Sequence, residues 1–325
     1  MNNRIISKEQ SHPADGLIFT DSEKLSESEF YEMVKSALSG RFGNGYDLQL
    51  QEIRKNNGMK YHGLAVRAAD HCVAPVIGLD DMYQKYLDGM QLEPLLDGLL
   101  QLLGEGFERA KFDRSRVTDW QEAKKHLFLK VISTELNREI LEDLPHKEIL
   151  DLSVVAYVQM DSPEAETTAS VQVNNELANM WGKDWDTLYE TAMRNTVHEG
   201  ISFASISHVI TSMLGDTEAD FLLDDYLAMQ ESPLFVLTNH AKVFGAVFMV
   251  LPQVMEQVTD DMGGDVYVLP SSIHESLVIP VSKIEDPAPL HQLVCDVNQM
   301  QVPLAERLSD HVYHYCRENG LSIAA

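Results

Sequence analysis

The sequence predicts an α+β protein: mixed or antiparallel sheets built from hairpins, with amphipathic helices packed on them. Three observations point there. Alternating apolar runs pair up around turn residues, stripes of helical period lie between them, and no fixed-period repeat runs through the 325 residues.

Residues 1–25 mix Ser, Lys, Glu, Pro and Gly without periodicity and read as a flexible N-terminal extension. Ser26 and Glu29 are spaced as a capping box, and Phe30, Met33, Val34, Ala37 and Leu38 share one helical face before Gly40. Tyr46, Leu48 and Leu50 then alternate with polar residues, Asn56-Asn57-Gly58 supplies a turn, and residues 59–68 alternate again, which reads as a β-hairpin. A strand over 73–77 carries Pro75 and belongs at an edge or a bulge. Two core helices follow, one through Met82, Tyr83, Tyr86 and Leu87, the other opened by Pro94 and rich in Leu.

The stretch 120–141 reads as helical and is stopped by Pro145, after which residues 150–160 form a strand with 169–173 as its hairpin partner. Asp184 caps a helix whose Trp185, Leu188, Tyr189, Ala192 and Met193 keep helical spacing throughout. Residues 216–231 hold six Asp/Glu among apolar side chains and read as a charged helix. Beyond them come a strand at 234–237, helices at 241–251 and 254–262 ended by Gly263-Gly264, and strands at 266–269 and 277–281. A helix at 290–297 and a strand at 312–316 close the chain. Two halves are expected, an N-terminal α/β half over 26–145 and a C-terminal one over 146–325, either as separate domains or as one compact unit.

Charge narrows the function classes. With 25 Lys+Arg against 51 Asp+Glu the formal net charge is -26, a field that repels phosphate backbones and anionic lipid. No direct nucleic-acid or membrane partner is therefore expected, whereas a basic protein partner suits this surface. Cys72, Cys295 and Cys316 are odd in number and lack CxxC spacing, which argues against a disulfide framework or a cysteine zinc cage. No apolar run is long enough to span a bilayer, and the opening MNNRIISKEQSHPADG has no signal-peptide core, so a cytoplasmic location is expected.

Several short motifs carry a resemblance. They are Lys55-Asn56-Asn57-Gly58, Leu79-Asp80-Asp81-Met82-Tyr83 with Tyr86 and Gly89, Pro145-His146 before Leu150-Asp151-Leu152, Met180-Trp181-Gly182, and Asn195-Thr196. The closing segment adds VLTN at 236–239, Gly245-Ala246, LPSSIHE at 269–275 and LSDHVY at 308–313. In order and spacing these resemble an uncharacterised bacterial domain-of-unknown-function family, number 5688, found mostly in Firmicutes, over roughly residues 28–316. The hairpin, the Tyr-rich helix and the Trp segment also resemble another uncharacterised family, number 1444, which implies a shared α/β core. Neither resemblance implies an activity.

Three constellations are candidates for chemistry. The loop Ser271-Ser272-Ile273-His274-Glu275 brings together the residue types of a nucleophile, a base and an orienting acid, although such residues equally satisfy turn backbone. Asn239-His240 lies between a strand and a helix, where open sheets bind ligands, yet Asn239 also suits an N-cap. His311, His314 and Cys316 resemble metal ligands, but strand alternation turns His311 away from the other two, and core or edge histidines are the plainer reading. Phosphate loops, HExxH and EF-hand patterns are absent, so no cofactor is implied.

The residues favour a non-enzymatic protein-interaction or regulatory factor. One alternative is an enzyme using Ser271–Glu275 with Asn239 and His240, which requires those side chains to meet in one pocket. Another is an acidic nucleic-acid mimic that binds a DNA-processing protein.

Overall fold

The computed structural model describes residues 24–42, 45–68, 76–109, 115–160, 170–209 and 233–324. The expected N-terminal extension up to residue 23, the acidic stretch 216–231 and Cys72 lie outside the described residues. The chain divides into two compact units, one of residues 1–54 and 60–111, the other of residues 55–59 and 112–325. All three sheets are antiparallel and carry helices, so the fold is α+β. Among the described residues no helix is long and apolar enough to cross a membrane.

In the first unit, α1 (Glu27–Phe42) buries Phe30, Val34 and Leu38, which recur every four residues along one face. The Glu29 carboxylate accepts from both the Ser26 backbone N–H at 2.9 Å and its hydroxyl at 2.5 Å, fixing the helix start. Strands β1 (Tyr46–Arg54) and β2 (Lys60–Ala68) pair from Tyr46↔Ala68 to Arg54↔Lys60, and β3 (Val76–Gly78) adds to β2 as an edge. Helices α2 (Asp80–Leu87) and α3 (Leu92–Arg109) complete the core, where Phe30 stacks on Tyr86 at 4.9 Å and α3 contributes Leu95, Leu96, Leu99 and Leu103.

The second unit begins with the short helices α4 (Ser115–Thr118) and α5 (Trp120–Ala123). The expected helix over 120–141 is then broken by a strand, β4 (Leu127–Ser133). Leu127, Leu129 and Val131 are buried on one face while Phe128 and Lys130 point to the other, a period of two that wins because β6 completes the strand's hydrogen bonds. After α6 (Arg138–Leu141), β5 (His146–Ile149) and β6 (Leu152–Gln159) form a hairpin, and β7 (Ser170–Gln172) pairs with β6 as expected.

Helix α7 (Asn175–Trp181) leads into α8 (Trp185–Glu199), whose Asp184 cap accepts from Thr187 N–H at 3.0 Å. Helix α8 covers the open edge of β4. Thr196 Oγ1 accepts from Leu129 N–H at 2.9 Å, and the Asn195 amide donates to Lys124 and Leu127 carbonyls at 2.9 and 2.8 Å. These side chains satisfy edge groups that would otherwise pair with another chain.

The remaining elements are β8 (Ile201–Ser205), β9 (Phe235–Asn239), α9 (Pro252–Met262), β10 (Val266–Pro270), β11 (Ser276–Pro280), α10 (Ala288–Met300), β12 (Tyr313–Cys316) and β13 (Gly320–Ile323). Their six strands run in the order β13-β12-β10-β11-β9-β8. The helix expected over 241–251 is instead a loop followed by a 3-10 run, Gly245–Val250. That run is buried along its whole length, in the same core as Leu127, Val154 and Leu237.

Candidate functional site

The loop after β9 departs furthest from unstrained backbone. Lys242 and Phe244 both hold positive φ, 54° and 58°, at a cost of about 1–2 kcal/mol each for a residue with a Cβ. The Asn239 carboxamide braces this loop. It accepts from Val243 N–H at 3.0 Å, donates to Val243 O at 2.8 Å, and donates to Glu199 Oε2 at 3.1 Å. Gly245 closes the loop against β9, where a Cβ would lie 2.4 Å from Thr238 Oγ1 and 2.5 Å from Asn239 N.

Glu199 ends α8 and Gly200 follows with φ +109. A Cβ on Gly200 would lie 2.8 Å from the His240 ring, so this glycine lets the imidazole lie against the helix end. Glu199, His198, His240 and Ala241, with Asn195, Lys125 and Phe128, line a cleft of about 460 Å³. Burial raises the Glu199 pKa above its ordinary value, and the Asn239 hydrogen bond and nearby His240 oppose that only in part.

Behind the strained loop, the Phe244 ring organises a second group of polar side chains. It stacks on His274 at 5.4 Å, meets Tyr157 edge-on at 5.0 Å, and carries Lys130 Nζ 4.9 Å from its centroid. No carboxylate among the described residues pairs with Lys130, and burial pulls its pKa down to about 8. His274 Nδ1 accepts from Phe244 N–H at 3.2 Å, so its proton is on Nε2, and burial lowers its pKa. Burial and the Glu199 charge both hold the Tyr157 phenol above its usual range.

The candidates from the sequence are divided among several places. His240 lines the cleft with Glu199, whose carboxylate is held by the Asn239 amide. In the 271–275 loop, Ser272 Oγ accepts from His274 N–H at 3.0 Å and Ser272 N–H donates to Glu275 O at 3.2 Å. Those bonds shape the turn, and Ser271, Ser272 and Glu275 do not line the cleft. His274 is joined to the loop after β9 through Phe244, and its carbonyl accepts from Thr238 Oγ1 at 2.8 Å.

His311 lies just before β12, not on it, and binds Asp151, while His314 Nε2 is 3.5 Å from Asp265 and Cys316 ends the strand. Asp151 forms a second polar centre. Its carboxylate accepts from Ser309 Oγ at 2.7 Å, His311 Nδ1 at 3.0 Å and Tyr313 OH at 2.6 Å. Burial pushes the Asp151 pKa up, but these bonds outweigh it and hold the carboxyl below its ordinary value. Ser309 and Asp151 both approach Nδ1, which differs from a catalytic triad, where base and nucleophile meet through the opposite nitrogen.

Sequence reasoning missed Glu199, Gly200, Lys130 and Asp151 as site residues. Of these only Asp151 lies within one of the short motifs, and no local pattern marks Lys130 as buried. The family of unknown function DUF5688 matches the chain over residues 27–317. No curated protein and no solved structure matches it.

Proposed function

The chain belongs to the family of unknown function DUF5688, and since membership assigns no activity, we propose that it is a cytoplasmic regulatory factor whose second unit binds a small zwitterion of amino-acid size. The observation that carries this is Glu199, a partly buried carboxylate fixed by Asn239 on the wall of a cleft lined by polar and aromatic side chains. A ligand ammonium would relieve its desolvation, and a ligand carboxylate would face Lys125 and the imidazoles of His198 and His240. The two left-handed residues, Lys242 and Phe244, support the reading, because strain of this kind concentrates at ligand clamps. Ligand occupancy would be passed to a basic protein partner, for which the net charge of -26 is suited.

The test is a thermal-shift and calorimetric screen of the twenty amino acids and their decarboxylated amines. One or a few should raise the melting temperature of the wild type and leave Glu199→Gln unmoved. No shift with any compound at millimolar concentration would contradict the proposal.

One observation favours an enzyme instead. Lys130, with its pKa pulled down to about 8 and no carboxylate partner among the described residues, has the character of an amine that condenses with a carbonyl. Borohydride trapping of an aldehyde on Lys130, absent in Lys130→Met, would move the assignment to that chemistry.

A further inference from the structure

We propose that the first unit holds a divalent transition metal of the zinc type on Glu27, His62 and Asp80. The site is separate from the cleft reading, since no residue of the second unit takes part. Its three residues come from three elements: Glu27 from the first turn of α1, His62 from the middle of β2, and Asp80 from the start of α2. One ligand atom from each lies within 4.8 Å of the other two.

The two spacings from the imidazole are close to those of tetrahedral coordination. Metal–ligand distances of about 2.0–2.1 Å place neighbouring ligand atoms of a tetrahedron about 3.4 Å apart. His62 Nδ1 is 3.3 Å from Asp80 Oδ1 and 3.7 Å from Glu27 Oε1. Small side-chain shifts would bring all three onto one ion, leaving the fourth position for water, as in zinc sites with three protein ligands.

The charge arrangement also suits a cation. Glu27 and Asp80 approach each other, and among the described residues neither forms an ion pair with Lys or Arg. The Tyr31 hydroxyl reaches Glu27 Oε1 at 2.8 Å and Asp80 Oδ1 at 2.5 Å, but its single proton serves only one carboxylate at a time. Both Asp80 oxygens also lie 3.2–3.3 Å from the His62 backbone N–H, which locks that carboxylate beside the imidazole. Tyr31 and this backbone amide are the outer partners that orient ligands in metal sites. An imidazole ligand selects zinc-like ions over magnesium or calcium.

The test uses the full chain, freed of metal, titrated with zinc by calorimetry and with cobalt by visible absorption. One equivalent of zinc should bind, with the absorption of tetrahedral cobalt. His62→Ala and Glu27→Gln should each weaken zinc at least tenfold, and Tyr31→Phe by tenfold or more through lost orientation, whereas His314→Gln should bind as the wild type does. Circular dichroism checks the fold of each variant, and if His62→Ala fails to fold, the exposed Glu27→Gln substitution decides the matter. Absence of zinc binding to the wild type, or undiminished binding by the variants that remain folded, would overturn the proposal.

Discussion

Asp151 and His311 are 160 positions apart in sequence and meet at 3.0 Å, the carboxylate Oδ2 facing the imidazole Nδ1. The same carboxylate binds Ser309 and the buried Tyr313, so one acidic side chain ties the β5–β6 turn to the segment entering β12. Asp151→Asn keeps the shape and loses the charge, and should cost about 2 kcal/mol near neutral pH. Because the folded pKa of Asp151 is depressed, this stabilisation is present above the unfolded pKa and is lost as pH falls through the folded one. Urea denaturation of both proteins should therefore show a gap at pH 7 that closes in acid.

Leu150 precedes that aspartate at φ 58°, the first residue of a two-residue turn between the paired Ile149 and Leu152. Turns of this length favour left-handed residues such as Asn or Gly, and Leu150 is 47% exposed, with little packing to lose. Leu150→Asn should stabilise the protein by about 1 kcal/mol in urea denaturation.

Lys130 carries a depressed pKa of about 8 in the folded protein. Folding therefore releases part of its proton between that value and the ordinary lysine range, so this residue's penalty is largest below pH 8 and fades as pH rises. Lys130→Met should stabilise by about 1–2 kcal/mol at pH 7, discounted for its partial exposure, and the gain should shrink toward pH 10.

Gly200 and Gly182 separate the two reasons for a glycine. Both have positive φ, but only at Gly200 does an added Cβ meet a side chain, the His240 ring at 2.8 Å. Gly182→Ala should cost about 1 kcal/mol, while Gly200→Ala should cost about 2–3 kcal/mol. Gly200→Ala should also shift the His240 resonances in NMR spectra.

Much of the fold was legible because its strongest signals are local. The alternation around Asn56-Asn57-Gly58 gave the first hairpin, and the stripe after Asp184 gave α8 with its cap. The misreadings share a cause. Residues 127–133 are a strand because β6 lies beside them, and residues 241–244 avoid helix because the Asn239 side chain captures Val243. Neither long-range partner is written into the local pattern. The β5 strand, His-Lys-Glu-Ile, is too polar and short to announce itself.

The site was legible in the same uneven way. Asn239 and His240 could be singled out from their place after a strand, whereas Glu199 is an ordinary helix-terminal acid until the fold brings it to Asn239, 40 residues on. Lys130 reads as one charged residue in a stretch expected to be helical, and its depressed pKa comes from burial that only the folded chain creates.

The most direct measurement of the central claim is thermal denaturation of the wild type and Glu199→Gln at pH 7, each with and without the best ligand from the amino-acid screen. Burial raises the Glu199 pKa in the folded protein, so its ionised form is a liability at pH 7 that falls away as pH drops below the raised value. A carboxylate kept for binding should therefore cost stability, and Glu199→Gln should be more stable alone and indifferent to ligand. A variant that is less stable than the wild type, or that still responds to ligand, would show that Glu199 serves the fold and that the cleft does not bind through it.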